Sequence, residues 1–167
     1  MKVLIHFSPL LLLATNVWAQ TCVDVNANTD RFTTNSDGTV ADSVTGLMWQ
    51  RCSVGQVYNS QTQSCDGTAQ QLTWQQALTA SQQNNYAGYE DWQVPNIKEL
   101  ASILQQQCVD PAIDINVFPQ TLSNNYWSAT TQTAEPSFAW VYQFADGKNN
   151  PTNKNAAAFL RLVRYYR

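Results

Sequence analysis

Apolar residues fall into short runs separated by polar stretches, and their spacing changes along the chain. Near the start, apolar runs flank residues 35–38 and 43–46, whose Asp-Gly and Thr-Gly pairs are typical of turns between antiparallel strands. Towards the end, residues 126–130, 138–144 and 159–164 are rich in aromatic and β-branched side chains, and the last two segments alternate in character. These patterns predict strands in the first and last thirds of the chain.

Two segments between the predicted strands have the start signals of helices. Thr73 is followed three residues later by Gln76, and Asn96 by Glu99, which is the spacing of a capping box. Apolar or small residues then recur on one helical face; they are Trp74, Ala77, Leu78 and Ser81 in the first segment and Ile97, Leu100, Ala101 and Leu104 in the second. Cys108 continues the second stripe, so we expect it to lie at the end of that helix. Two helices packed on small antiparallel sheets predict an α+β fold.

Residues 1–19 have the pattern of a secretory signal peptide. Lys2 provides the positive start, residues 10–14 the apolar centre, and Val17-Trp18-Ala19 a small-residue cleavage site. The apolar run is much shorter than the roughly 20 residues of a membrane-spanning helix. We therefore expect an exported protein, periplasmic or secreted, without a membrane span, in which residues 20–167 form a single domain.

The four cysteines predict two disulfide bonds. An even number in an exported chain is typical of a disulfide framework, and four cysteines allow three connectivities. Cys52 and Cys65 flank a turn-rich insertion and are the favoured pair, which leaves Cys22 with Cys108. Zinc binding is disfavoured because the chain has no CxxC spacing.

Charge and amide content indicate where a ligand could bind. All 12 acidic residues precede Lys148, and this acidity argues against nucleic acid as the main partner. Residues 148–155 are rich in Asn and predict a long surface loop, solvated or ligand-binding, because amides donate and accept hydrogen bonds to sugar hydroxyls or sulfates. The candidate ligand-binding residues are Lys148, Asn149, Asn153, Lys154 and, because Asn124 and Asn125 precede it, Trp127. Arg161 and Arg164 are expected to be held by carboxylates or backbone carbonyls.

The residue inventory argues against most catalytic chemistry. The single histidine, His6, lies in the predicted signal peptide, so the mature chain has no histidine base or ligand. We predict no catalytic residue, no bound metal and no cofactor. A pair of carboxylates could still act as a glycosidase. Residues 24–30 carry oxygen ligands at alternate positions, as calcium loops do, but they lack the glycine and glutamate of an EF-hand, so cation binding there is left open.

Several of these segments, in this order, resemble a known family. The matching segments are residues 37–40, 45–52, 73–78, 87–89, 91–100, 111–113, 117–119, 126–128 and 161–164. They are similar to the Lcl C-terminal domain family, named for the Legionella collagen-like protein, although Gln93-Val94 stands where the family usually has Arg-Leu. The resemblance implies a C-type-lectin-like fold and an extracytoplasmic binding role, with one member acting as an adhesin for sulfated polysaccharides.

Three functions follow from these observations as hypotheses. The first is an exported, non-catalytic binding module that recognises anionic or sulfated glycans at the cell surface. The second is a structural or accessory subunit of a bacterial envelope assembly, which would bind a protein through an exposed aromatic patch. The third is a carboxylate-dependent glycosidase.

Overall fold

The computed structural model describes residues 19–23 and 30–166. Apart from residue 19, the predicted signal peptide lies outside the described residues, as do residues 24–29 of the possible cation-binding stretch. The elements are β1 (Thr21–Cys22), β2 (Phe32–Thr34), β3 (Thr39–Asp42), β4 (Leu47–Gln50), β5 (Gln56–Asn59), β6 (Ser64–Gly67), α1 (Trp74–Gln82), a 3-10 turn (Tyr86–Gly88), α2 (Ile97–Ser102), β7 (Cys108–Val109), β8 (Asn125–Thr131), β9 (Phe138–Gln143), β10 (Lys148–Asn153) and β11 (Val163–Tyr165). The predicted α+β class is confirmed.

Antiparallel strands from both ends of the chain form a four-stranded sheet in the order β11-β4-β3-β2. The predicted turn at residues 35–38 joins β2 to β3, and Gly38 supplies the positive φ of 83° that this turn requires. Only the end of the predicted strand at residues 159–164 joins this sheet, through β11. The sheet therefore pairs the last strand of the domain, β11, with β4 from the first third of the chain.

A second antiparallel sheet has the order β10-β9-β8 and leaves β10 at its edge. The prediction of a loop over residues 148–155 is wrong for residues 148–153, which form β10. Asn and Pro disfavour strands, but six consecutive residues pair with β9, and Pro151 is tolerated because β10 is an edge strand. The Asn-rich segment is thus held in one extended conformation.

Two apolar clusters form the core, and β8 separates them. Tyr126 belongs to the first cluster, together with Leu100 of α2, and its neighbour Trp127 belongs to the second, together with Ala77 of α1. Successive residues of a strand point to opposite faces. Helix α2 therefore covers one face of the second sheet, and α1 lies against the other.

Both helices begin at the predicted residues. The side chains of Thr73 and Asn96 accept hydrogen bonds from the first turns of α1 and α2, and both capping boxes are complete. Helix α2 ends at Ser102, however, and the prediction that Cys108 lies at its end is wrong. The chain leaves the helix because residue 104 pairs with residue 113 in an isolated bridge, after which Cys108 enters β7.

Both predicted disulfides are confirmed. Cys22–Cys108 joins β1 to β7, and Cys52–Cys65 joins the segment after β4 to β6. Two disulfides are typical of proteins from oxidising compartments. No helix within the described residues is long and apolar enough to cross a membrane.

The expected anchoring of two arginines is also confirmed. Arg161 is fully buried and donates to the backbone carbonyls of Gln50 and Arg51. Arg164 donates from Nε to a carboxylate oxygen of Asp91 at 2.6 Å. Both guanidinium groups therefore hold distant segments together.

Candidate binding surface

Strand alternation divides the four polar candidates between the two faces of β10. Asn149 and Asn153 pair with Tyr142 and Phe138 of β9 and lie on the face that α2 covers. Lys148 lies on the other face, and the contacts of Lys154 place it on the side of α1. The two lysines are six residues apart in an extended chain, or about 20 Å. They do not form one cationic cluster.

Lys148 has a local carboxylate partner. Its Nζ lies 2.7 Å from Oδ2 of Asp146, and its side chain is 79% exposed. The hydrogen bond from Lys148 lowers the pKa of the Asp146 carboxyl, and the same contact raises the pKa of Lys148. Solvent screens such an exposed pair strongly. The pair leaves little net charge at this end of β10.

Lys154 is held against α1. Its Nζ donates to Oγ1 of Thr131 at 2.9 Å and lies 4.0 Å from the ring centroid of Trp74. The indole N–H of Trp74 in turn donates to the carbonyl of Ser128 at 2.9 Å. A half-buried ammonium over an indole is a stabilising cation–π contact. Lys154 therefore has a structural role that competes with ligand binding.

The prediction that Trp127 contacts a ligand is wrong. Its side chain is 0% exposed, and its Nε1 donates to the carbonyl of Leu72 at 2.7 Å. The polar residues Asn124 and Asn125 stand at the start of β8, and alternation then turns Trp127 into the core. The indole ring packs with the second apolar cluster.

A row of aromatic side chains that the sequence reasoning missed lies beside β10. Phe138, Trp140 and Tyr142 occupy alternate positions of β9 and are all half-buried. We call these three residues the aromatic strip. It spans residues 138–142 of the strand, or about 13 Å. Large aromatic residues that keep part of their surface in water form a platform for apolar ligand faces.

Amide side chains border the aromatic strip on the edge strand. Register pairs Asn153 with Phe138, Pro151 with Trp140, and Asn149 with Tyr142. Nδ2 of Asn149 donates to the Tyr142 hydroxyl at 3.2 Å, and both Asn side chains are exposed. In the sequence, the aromatic strip is indicated by the alternation of Phe138, Trp140 and Tyr142 with two small or β-branched residues. These two residues, Ala139 and Val141, are buried on the opposite face of β9.

Three carboxylates that a glycosidase pair could have used hold local structure instead. Asp91 pairs with Arg164, Asp146 pairs with Lys148, and Asp114 accepts a hydrogen bond from the backbone N–H of Asn116 at 2.8 Å. Among the described residues, no three His, Cys, Asp or Glu side chains form a group that could hold a metal ion.

Comparison with known proteins identifies one family. Residues 38–164 match the family model described as the Lcl C-terminal domain. The matched region includes the aromatic strip, the edge strand β10 and both helices. No curated protein matches the chain.

Proposed function

Because the chain belongs to the Lcl C-terminal domain family, we propose that it is a non-catalytic module that binds polysaccharide outside the cytoplasm. The observation that carries this proposal is the aromatic strip bordered by the exposed amides of Asn149 and Asn153. The two disulfides support an extracytoplasmic location, because such bonds persist in oxidising compartments.

The chemistry of the strip suits sugar rings. One face of a pyranose ring carries C–H groups that pack on an aromatic ring, whereas its edge carries hydroxyl groups. Half-buried Trp140 offers the apolar contact, and the exposed amides on β10 offer donors and acceptors for the hydroxyls. Pairing with β9 fixes the backbone beneath both sets of side chains, which reduces the entropy lost on binding.

More specifically, we propose anionic or sulfated polysaccharides as ligands, although charge contributes little to binding at this surface. Lys148 is already paired with Asp146, and Lys154 is bound to Thr131. We therefore expect the sugar rings, rather than their charged groups, to provide most of the affinity. Binding should weaken only slightly when the salt concentration is raised.

The test is a glycan array in which each polysaccharide backbone is present in sulfated and unsulfated forms. We expect binding to selected backbones, and Trp140→Ala should weaken it about tenfold. Tyr166→Ala is the matched control, because it removes an aromatic residue that is 55% exposed and lies outside the strip. The bound polysaccharide should release no reducing ends during incubation. Absence of binding, or equal binding by Trp140→Ala, would contradict the proposal.

A second candidate function is that of an accessory subunit of an envelope assembly. The observation that favours it is the free edge of β10, because a strand of a partner protein could pair there. Pro151 removes one backbone donor from this strand, which limits such pairing. Co-purification of a stoichiometric protein partner from native envelopes would support this function, and loss of that partner in an Asn149→Pro variant, which removes a backbone donor from the outer edge, would locate it at β10.

A further inference from the structure

A polar cleft of about 310 Å³ lies between the β2–β3 turn, the β5–β6 hairpin and the segment around Asn116. It shares no residue with the aromatic strip. Its walls carry hydroxyl and amide side chains, among them Ser36, Ser60 and Gln63. The only charged side chain that lines it is that of Arg51. The cleft therefore combines many neutral hydrogen-bonding groups with a single cation.

The guanidinium of Arg51 keeps unused donors. Arg51 is 4% exposed, and its Nε donates to the carbonyl of Val117 at 2.9 Å. Nη2 donates to the carbonyl of Asn116 at 2.7 Å, and Nη1 donates to the hydroxyl of Tyr58. A guanidinium has five N–H groups, so each terminal nitrogen retains one that has no partner among the described residues. Two adjacent donors of this kind match two oxygens of one oxyanion.

Tyr58 supplies a further donor beside Arg51. Its hydroxyl oxygen accepts the hydrogen bond from Arg51, so its own hydrogen is available to another acceptor. The guanidinium carbon of Arg51 also lies 4.7 Å from the centroid of the Tyr58 ring. The ring thus holds the cation in position while the hydroxyl and guanidinium both line the cleft.

No carboxylate of the described residues forms an ion pair with Arg51. The same is true of Arg161, which is fully buried, binds the carbonyl of Arg51 and leaves its Nε without a hydrogen-bond partner. Burial lowers the pKa of Arg161 to about 10, and the charge of Arg51 contributes in the same direction. Two neighbouring guanidinium groups that form no ion pair favour a positive potential in an otherwise acidic protein, and Asp37 in the β2–β3 turn is the nearby carboxylate that partly offsets it.

We propose that this cleft binds the carboxylate or sulfate group of an anionic ligand, with Arg51 as the charged contact and the Tyr58 hydroxyl as a second donor. The proposal does not depend on the aromatic strip. An oxyanion in the cleft satisfies the two free N–H groups and compensates the positive potential of the two arginines, which is the role that carboxylates fulfil for most buried guanidinium groups.

The test is an NMR titration of the oxidised protein with sodium sulfate and, separately, with galacturonate. Galactose and sodium chloride at matched ionic strength are the controls. We expect saturable shifts of the backbone amides of Ser36, Ser60 and Gln63 with at least one oxyanion and none with galactose. The probe that binds more tightly shows whether the cleft prefers sulfate or carboxylate. Shifts that equal those in sodium chloride, or that do not saturate, would overturn the proposal.

Variants distinguish a defined anion-binding site from nonspecific electrostatic attraction of anions. Arg51→Lys keeps the charge but loses the paired donors, and it should weaken binding of the better probe at least tenfold. Tyr58→Phe keeps the ring and removes only the hydroxyl, and it should weaken binding about threefold to tenfold. Lys98→Met removes one exposed cation from α2 and should leave binding unchanged. If Arg51→Lys fails to fold, equal affinity of Tyr58→Phe and the wild type would still overturn the assigned geometry.

Discussion

The two disulfides should contribute unequally to stability because they close loops of very different length. The pairs are 86 and 13 residues apart in sequence. If a disulfide acts mainly by restricting the unfolded chain, the long loop contributes about 4.6 kcal/mol and the short loop about 2.9 kcal/mol. We compare two double variants. One combines Cys22→Ala with Cys108→Ala, and the other combines Cys52→Ala with Cys65→Ala.

The two disulfide bonds also differ in how deeply they are buried in the native protein. Cys22 is half-buried in a two-residue strand that pairs with β7, although its partner Cys108 is buried, whereas Cys52 and Cys65 are both 2% exposed. Loss of packing at the second bond would therefore act against the entropic difference. We expect the long-loop variant still to be the less stable one, by about 1 kcal/mol.

Urea unfolding followed by tryptophan fluorescence measures both variants against the wild type. The slopes of the transitions should be compared, since an opened loop exposes more chain in the unfolded state. If the variant without Cys52–Cys65 is the less stable of the two, buried packing rather than chain entropy determines the contribution of these bonds, and the reasoning is refuted.

Three further predictions concern single side chains. Burial raises the pKa of Asp42, but hydrogen bonds, above all the one from Arg31, outweigh this effect and leave the pKa below its usual value. The stabilisation by the Asp42 carboxylate is therefore complete above about pH 4 and is lost as the pH falls through the folded pKa. Asp42→Asn should flatten the acid side of a plot of Tm against pH. Asn96→Ala removes the cap of α2 and should cost about 1 kcal/mol in urea unfolding, whereas Asn96→Ser should be nearly neutral. Gly38→Ala should lower the free energy of unfolding by more than about 2 kcal/mol, because the new methyl group collides with two tyrosine side chains. Gly46→Ala has a similar φ but open space around it, so it should lower that free energy by only about 1 kcal/mol. Equal losses of stability would contradict the steric argument.

Local signals in the sequence predicted much of the fold. Thr73 and Asn96 mark helix starts through contacts within one turn, and the turn at residues 35–38 joins two neighbouring strands. The end of α2 could not be predicted in this way, because it depends on the pairing of Leu104 with Ile113, which come together only in the folded chain. Sequence spacing reports such distant contacts poorly.

The candidate surface was harder to predict than the fold. The amides of Asn149 and Asn153 were correctly singled out as exposed groups, but the segment looked like a loop because Asn and Pro are rare in strands. Without the strand, the opposite faces of Lys148 and Asn149 could not be recognised. The partial exposure of Trp140 could not be predicted either, since the face of β9 on which it lies depends on the packing of both helices.

Alternation along β10 also has a consequence for the evolution of this domain. Positions 149, 151 and 153 border the aromatic strip, whereas 150 and 152 are half-buried on the opposite face. If this surface binds polysaccharide as proposed, substitutions at the odd positions can change its ligand while the residues that hold the strand in place stay the same. An edge strand of this kind allows ligand preference to diversify among related proteins at little risk to folding.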